Sequence, residues 1–406
     1  MNIEHINSQQ STDSIHWNNV TAQTANILRN ALAGSEISEA QGEHLFKCNG
    51  ADVDAIAQCA DILRQRAVGD DASFVITRNI NFTNICYMGC KFCGFAQGKN
   101  SNTAEFLSMQ EIAMRAQQAW DRGATEVCIQ GGLHPDLEPD HYRKILLAIK
   151  SQVPQMHIHA FSPFEIWYGA QRSNMSYSDF IADLMACGLG SMPGTAAEIL
   201  DVEIRQQLTR DKLTTEQWVE IISAAHKLGL PTTSTIMYGH IDEPRHWAAH
   251  IALLRQMQKD HGGFTEFVPL GFVHYESPLY TDRAKLKLDV RPGPTERENI
   301  LMHAVSRIML NGWIDNIQAS WVKLGPDYAS QMLRSGANDL GGTLMDESIT
   351  RSAGGTHGEE ISPTQMQQMI RNAGLTPYRR GTLYQQLETF PAHDHNLIAS
   401  CRGAVA

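Results

Sequence analysis

The segment NICYMGCKFCGFA, from Asn84 to Ala96, holds three of the eight cysteines of this 406-residue chain. Cys86, Cys90 and Cys93 have the spacing Cys-x3-Cys-x2-Cys, so three thiolates on one short loop can bind one metal centre. A zinc site normally has four ligands, yet no Cys or His lies within the twenty-five residues after the third cysteine. A zinc knuckle completed by a distant histidine is one interpretation. The other is an iron–sulfur cluster with three protein ligands, which leaves one iron open to a small molecule.

The cysteine segment follows the first of eight short apolar runs, and amphipathic segments separate most of these runs. The runs are SFVITRNINF (73–82), TEVCIQGG (125–132), MHIHAFSP (156–163), LGSMPG (189–194), TTSTIMYG (232–239), FTEFVPLGFV (264–273), NIQASW (316–321) and DLGGTLM (339–345). Strands that alternate with helices are parallel, because each crossover needs a helix on the face of the sheet. Eight such units predict an α/β fold of the closed (β/α)8 type, with a doubly wound open sheet as the alternative.

In a parallel barrel the chemistry lies at the carboxyl ends of the strands, which is where the three cysteines fall. Ser108 with Glu111 fits a capping box at the start of a helix that follows them. We divide the chain into an N-terminal helical extension (1–70), a barrel (71–375) and a C-terminal helical tail (376–406). The first part of the extension, to about residue 34, is expected to be loosely ordered.

Composition and charge argue against a nucleic-acid-binding, secreted or membrane-spanning protein. The formal net charge of −11, with no block of Lys and Arg, argues against a nucleic-acid surface. The first twenty residues are unlike a signal peptide. No apolar run approaches the ~20 residues of a membrane span. These features favour a cytoplasmic enzyme with no nucleic acid or membrane partner, where clustered cysteines indicate a metal or catalysis before a disulfide. The isolated Cys128 and Cys187 are predicted to be small buried hydrophobes.

The cysteine spacing, its position after the first strand, and Phe92 before the third cysteine resemble the radical S-adenosylmethionine (SAM) superfamily. The resemblance implies a TIM-type radical SAM barrel with one [4Fe–4S] cluster held by Cys86, Cys90 and Cys93. It also implies that SAM chelates the open iron through its amino and carboxylate groups. One electron from the cluster would cleave the sulfonium to give methionine and a 5′-deoxyadenosyl radical, which abstracts a hydrogen atom. The cofactors then supply the chemistry, and the protein supplies orientation and exclusion of water.

Residues after three further runs fit SAM-binding positions of that superfamily. Gly131 and Gly132 resemble its glycine-rich turn, where the lack of a side chain lets backbone carbonyls approach a ligand. Ser162 is a candidate ligand contact. Glu198 is a candidate contact to the nucleoside, and the alternative is a charge that supports the first turn of a helix.

Two loops near the sixth and eighth runs are candidates to reach a substrate. His274 and Tyr275 in HYESP, and Arg351 in GGTLMDESITRSAG, are candidates to return a proton or to quench the final radical. His157 and His159 alternate along the third run and therefore point to the same side of a strand. We expect these two to be core histidines and not catalytic ones.

Five stretches resemble one branch of the superfamily: RNINFTNICYMGCKFCGFA, CIQGGLHPD, HAFSP, PGTAAEIL and GGTLMDESITRSAGG. This branch contains the tyrosine-using subunit of FO synthase, aminofutalosine synthase and dehypoxanthine futalosine cyclase. The lead-in RNINFTN and the tail RGTLY, Arg380 to Tyr384, fit the FO synthase subunit best.

The resemblance implies a transferase of deazaflavin (coenzyme F420, FO) biosynthesis. It would break the Cα–Cβ bond of L-tyrosine and add the 4-hydroxybenzyl group to 5-amino-6-(D-ribitylamino)uracil, leaving 2-iminoacetate. A chain with one cluster motif would be one half of the system, so a second FO synthase subunit and an external one-electron donor are the expected partners. A futalosine-pathway enzyme of menaquinone biosynthesis is the alternative. A non-catalytic iron–sulfur electron carrier is a third interpretation, and it would need a fourth protein ligand.

Overall fold

The computed structural model describes residues 15–209 and 212–392 of the chain. The strands, in chain order, are β1 (Asp71–Val75), β2 (Thr77–Asn81), β3 (Glu126–Gln130), β4 (His157–Ala160), β5 (Thr232–Tyr238), β6 (Phe264–Gly271), β7 (Asp339–Gly342) and β8 (Thr376–Arg380). A last strand, β9 (Gln386–Thr389), follows them. β1 and β2 are the two halves of the first predicted run, and only Ile76 separates them.

The helices are α1 (Ala22–Leu32), α2 (Glu39–Phe46), α3 (Ala51–Val68), α4 (Met109–Asp121), α5 (His141–Gln152), α6 (Pro163–Ser173), α7 (Tyr177–Ala186), α8 (Val202–Leu208), α9 (Thr215–Lys227), α10 (Pro244–His261), α11 (Pro278–Thr281), α12 (Arg283–Leu286), α13 (Glu296–Leu310), α14 (Trp321–Leu324), α15 (Pro326–Met332), α16 (Ser348–Ser352) and α17 (Pro363–Asn372). The predicted capping box is present, because Ser108 and Glu111 satisfy each other's backbone N–H groups at the start of α4. Within the described residues, no helix combines the length and the apolar character that crossing a membrane requires.

The parallel pairings of the barrel return to their starting point. β2 pairs with β3, β3 with β4, β5 with β6, and β7 with β1. The fourth and seventh predicted runs each pair with the strand on either side through one isolated parallel bridge. These bridges are His159 with Ser191, Met192 with Thr232, Phe267 with Ile317, and Gln318 with Asp339. All eight predicted runs therefore contribute to one ring, and the (β/α)8 prediction is confirmed over the open sheet.

The N-terminal extension is helical, as predicted, and it packs on the barrel. α3 packs against α13, and α2 packs against α10 and α13. Phe46 meets Trp247 edge to face, with ring centroids 5.2 Å apart. The expectation of a loosely ordered start is wrong for α1, which Thr21 caps by accepting the Thr24 N–H. Residues 1–14 lie outside the described residues.

The predicted helical tail is wrong for its described part, which forms β8 and β9. Residues Thr376–Arg379 pair in parallel with Asp71–Phe74, so β8 covers the edge of β1 that β3 does not reach. β9 then pairs antiparallel with β8. An uncovered edge would leave backbone N–H and C=O groups of β1 unpaired, which explains why this segment is extended. The boundary placed at residue 375 thus falls inside the sheet, and residues 393–406 of the predicted tail lie outside the described residues.

Candidate active site

Backbone hydrogen bonds hold the cysteine loop at the carboxyl end of β2. The Cys86 N–H donates to Gln97 O (3.1 Å), and the Cys93 N–H donates to Cys90 O (3.1 Å). Lys91 connects the loop to two other elements, because its N–H donates to Leu208 O (3.1 Å) and its carbonyl accepts the Leu279 N–H (2.6 Å). The loop is therefore anchored on several sides before any ligand binds.

Glycines allow the close packing around this loop. A Cβ on Gly132 would lie 2.4 Å from the Ile85 carbonyl oxygen and 2.9 Å from Cys86 Cβ. A Cβ on Gly94 would lie 2.5 Å from the Ser352 carbonyl oxygen. Both contacts are too close for any side chain, so the second predicted glycine of the GG turn is required by its approach to the cysteine loop.

The three thiols line one cavity, and all three cysteines are partly buried. Burial raises the pKa of both thiols, while backbone N–H groups of Phe95 and Ala96 donate towards Cys93 Sγ and lower its pKa. Hydrogen bonds of this kind are common at cluster sulfurs. Among the described residues, no three His, Cys, Asp or Glu side chains converge closely enough to hold one metal ion. The arrangement fits a multi-iron cluster, in which each thiolate meets a different iron, better than a zinc knuckle.

The cavity beside the cysteines, which we call the cluster cavity, has a volume of about 270 Å³. Its wall includes Gly131 and Gly132 and the start of α6. There Ser162 and Glu165 form a buried capping box, and the Ser162 hydroxyl lies 2.6 Å from Glu165 Oε2. Glu165 Oε1 also accepts the Gly131 N–H at 3.0 Å.

Glu165 is a site residue that the sequence reasoning missed. Its carboxylate joins two predicted positions, Gly131 and Ser162, into one rigid unit. Burial raises the pKa of Glu165 to about 7. The spacing Ser-Pro-Phe-Glu in HAFSPFE was a readable signal, because Ser-x-x-Glu is the capping-box pattern.

Glu198, which was predicted as a nucleoside contact, lines the cluster cavity. It lies three residues before Asp201, the residue that caps α8, so the alternative of first-turn helix support is wrong. Its backbone is in the left-handed region, with φ of 42°, a conformation that is costly without a compensating function. Oε1 accepts a hydrogen bond from Lys212 (2.6 Å), whereas Oε2 has no hydrogen-bond partner among the described residues and lies 3.6 Å from Arg205 Nη1.

A second cavity, which we call the inner cavity, occupies the interior of the barrel with a volume of about 260 Å³. The two cavities adjoin, since they share the lining residues Gln130, Thr195, Thr235, Leu270, Lys323 and Ile349. Many of the residues that line the inner cavity carry hydroxyl, amide or charged side chains. One of these groups is Glu126, which is 6% exposed and whose Oε2 has no partner among the described residues.

The tail supplies the floor of the inner cavity. Arg380 binds Asp339 through two hydrogen bonds, Nε to Oδ2 at 2.6 Å and Nη2 to Oδ1 at 3.0 Å. The Tyr384 hydroxyl donates to Glu266 Oε2 at 2.6 Å. Thr382 also lines the cavity, so the segment RGTLY closes the barrel from below.

Of the two predicted core histidines, His159 lines the inner cavity. His157 Nε2 and His159 Nδ1 both hydrogen-bond the Ser191 hydroxyl, at 2.8 and 2.7 Å, as expected of satisfied core histidines. Burial lowers the pKa of His159 to about 4, so its ring is neutral near pH 7. Cys187 is buried as predicted, but Cys128 lines the cavity and does not pack as a core hydrophobe. The reason is that Cys128 lies on the inward face of β3, together with Glu126.

The structure does not bring His274, Tyr275 or Arg351 into either cavity. His274 packs its ring on Tyr275, which is 60% exposed. Arg351 is exposed and forms a salt bridge with Glu359 at 2.5 Å. Neighbouring apolar residues, Val273 and Ile349, line the cluster cavity instead. The predicted catalytic role of the three therefore has no structural support.

The chain resembles known proteins along most of its length. Residues 80–254 match the Radical SAM superfamily, and residues 261–393 match the CofH/MqnC C-terminal region. The chain is 47% identical over 335 residues to the 5-amino-6-(D-ribitylamino)uracil–L-tyrosine 4-hydroxyphenyl transferase of Methanopyrus kandleri, which covers 82% of this chain and 89% of that protein. It is 48% identical over 365 residues to FO synthase of Streptomyces avermitilis, which covers 89% of this chain and 42% of that protein. The chain thus spans about two fifths of the FO synthases it matches.

Among solved structures, HydG, a maturase of the [FeFe]-hydrogenase, superposes with a TM-score of 0.70. The match covers 94% of this chain and 80% of that chain at 13% sequence identity. Identity this low shows a shared fold and nothing about the substrate.

Proposed function

The chain belongs to the family of the 5-amino-6-(D-ribitylamino)uracil–L-tyrosine 4-hydroxyphenyl transferases within the radical SAM superfamily, and on that premise we propose that it performs the tyrosine-using half of FO synthesis. It would break the Cα–Cβ bond of L-tyrosine and join the 4-hydroxybenzyl group to 5-amino-6-(D-ribitylamino)uracil. The products would be 5-amino-5-(4-hydroxybenzyl)-6-(D-ribitylimino)-5,6-dihydrouracil, 2-iminoacetate, methionine and 5′-deoxyadenosine.

One observation carries this proposal beyond family membership: the cluster cavity adjoins an inner cavity that is lined by many polar side chains. Two polar substrates need space next to the cofactor, and hydroxyl and amide groups suit a ribityl chain and a uracil ring. An electron carrier has no use for such an interior. The relatives named above favour the FO reaction over a futalosine-pathway reaction.

The superfamily uses one [4Fe–4S] cluster with SAM, which when bound supplies a hydrogen-abstracting 5′-deoxyadenosyl group. The residues present fit these groups, because Cys86, Cys90 and Cys93 offer three thiols on one wall without a single-ion geometry. Glu198 Oε2, which has no hydrogen-bond partner among the described residues, can accept a hydrogen bond from a nucleoside hydroxyl. Ser162 borders the same cavity as a candidate contact.

The chain's own residues orient the ligands and exclude water. Phe92, Phe164 and Phe272 line the cluster cavity and keep its wall apolar. Glu165 holds Gly131 and Ser162 in a fixed relation, so the glycine turn does not need to reorganise when a ligand binds. The inner cavity offers donors and acceptors for the acceptor substrate below this apolar wall.

The same proposal includes partners and location. The chain spans about two fifths of the FO synthases it matches, and we propose that a second FO synthase subunit completes the deazaflavin ring. An external one-electron donor would reduce the cluster. A cytoplasmic location would provide the reducing conditions that keep the three cluster thiols from forming disulfides.

The proposal is tested with reconstituted protein under anaerobic conditions, with SAM, reductant and tyrosine, and with or without the ribitylaminouracil. Mass spectrometry should detect a hydroxybenzyl–uracil adduct, with 5′-deoxyadenosine formed alongside it, only when both substrates are present. Slow 5′-deoxyadenosine formation with tyrosine untouched would contradict the proposal and favour a futalosine-type substrate.

A further inference from the structure

Lys323 lies where the two cavities meet. It belongs to α14, the single-turn helix that directly follows the seventh run of the barrel, and it lines both the cluster cavity and the inner cavity. Cys86, Cys90 and Cys93 line only the cluster cavity, and Arg380 lines only the inner cavity. A ligand atom bound to Lys323 would therefore lie between the cofactor side and the interior of the barrel.

The ammonium group of Lys323 is not occupied by the protein. Across residues 15–209 and 212–392, Lys323 Nζ has neither a hydrogen bond nor a salt-bridge partner. Lys212, the other lysine of the cluster cavity, donates to Glu198 at 2.6 Å. Arg380 of the inner cavity is bound by Asp339. Lys323 is thus the unpaired cation of the described lining.

The backbone below this side chain is fixed. The Trp321 indole N–H donates to Gly342 O at 2.9 Å, and the Lys323 N–H donates to Ser320 O at 3.0 Å. Burial lowers the pKa of Lys323, and the Glu347 charge raises it. Glu347 itself accepts the Thr350 N–H through both carboxylate oxygens and caps α16. An ammonium group that lines a cavity without a protein partner indicates an anionic ligand there.

We propose that Lys323 binds the α-carboxylate of the amino-acid substrate, an inference that rests on the proposed function. Of the two substrates, the uracil carries no anionic group, whereas tyrosine carries a carboxylate. A carboxylate held at the junction places Cα one bond away, between the cysteine wall and the inner cavity. The Cα–Cβ bond would then lie where both compartments meet.

The test compares L-tyrosine with tyramine, which lacks the carboxylate, by anaerobic calorimetric titration of the cluster-loaded, SAM-bound protein. In Lys323→Met, tyrosine should bind about ten- to a hundredfold more weakly, the range expected for loss of a charged hydrogen bond. Tyramine binding should stay within about twofold, since it has no group for Lys323 to bind. Lys323→Arg should retain part of the tyrosine affinity, and Lys227→Met, an exposed lysine on α9, should change neither.

Thermal unfolding of each variant establishes that it is folded before the titrations are compared. Equal weakening of tyrosine and tyramine would overturn the inference, because a structural role would affect both. Unchanged tyrosine affinity with weakened SAM binding would overturn it in favour of a cofactor contact. A wild-type protein that binds neither ligand would overturn the proposed function together with the inference.

Discussion

The cluster cavity and the inner cavity have nearly equal volumes, about 270 and 260 Å³, but they are built from different parts of the barrel. Loops after the strands form the wall around Cys86, Gly132 and Ser162, and aromatic side chains make much of that wall apolar. Alternate residues of the strands themselves form the inner cavity, and many of them are polar. Barrels of this type usually fill their interior with Val, Ile and Leu. The difference indicates that cofactor chemistry belongs to the loops and acceptor binding to the strands.

The largest expected effect tests the loop side of this comparison. Cys86→Ala, Cys90→Ala or Cys93→Ala should each lose the cluster and all SAM cleavage, because each thiol is one of three available ligands. Iron content, the visible absorption of the cluster and 5′-deoxyadenosine formation measure the loss.

Cys128→Ala is the matched control in the inner cavity, and Cys187→Ala is the control outside both cavities. Both should keep the cluster and SAM cleavage, and Cys187→Ala should at most lower stability through lost packing. Full activity in any one of the three loop variants would show that the ligand assignment is wrong.

A smaller effect is expected at the floor of the inner cavity. Arg380→Gln removes the partner of buried Asp339 and should lower the free energy of unfolding by about 3–5 kcal/mol. Arg379→Gln is the matched control, since Arg379 pairs with half-exposed Glu388 at 3.4 Å and should cost at most about 1 kcal/mol. Denaturant unfolding measures both. Similar losses in the two variants would show that the floor does not depend on the buried pair.

The smallest effect is expected for the exposed residues Tyr275 and Arg351, which lie outside both cavities. Tyr275→Phe and Arg351→Gln should change kcat/KM by no more than about twofold, because surface substitutions away from a site rarely exceed 0.5 kcal/mol. Initial rates of adduct formation check this. A large fall in kcat for either variant would restore the catalytic role first predicted for these loops.

Sequence patterns were informative where function and local geometry coincide. Three cysteines in eight residues, the GG turn and the serine before α6 lie in contiguous motifs, and each was placed at the cluster cavity by its position after a strand. The eight runs predicted the barrel because each strand must alternate with a covering helix. Ring closure and the pairing of β8 with β1 depend on contacts between distant segments, so the tail was predicted wrongly.

The sequence pattern that corresponds to the inner cavity is weaker and has two interpretations. In EVCIQ the polar Glu126 and Gln130 alternate with Val127 and Ile129. Alternation in a half-buried strand usually points the polar face to water. In a barrel covered by helices the apolar face must point outward, so the polar face points inward. Lys323 had no local signal, because only the fold brings it to the junction.

The position of β1 has a consequence for biosynthesis of the chain. Ser73 on β1 lies 266 positions before Asp339 on β7, and β8, which also pairs with β1, follows later still. A ribosome therefore releases the first barrel strand long before it makes the neighbours of that strand. The backbone groups on both edges of β1 stay unpaired while most of the protein is translated. Pairing between strands so far apart in sequence is slow. Until the last strand emerges, β1 is therefore an unpaired strand edge of the kind that makes partly folded chains prone to aggregate.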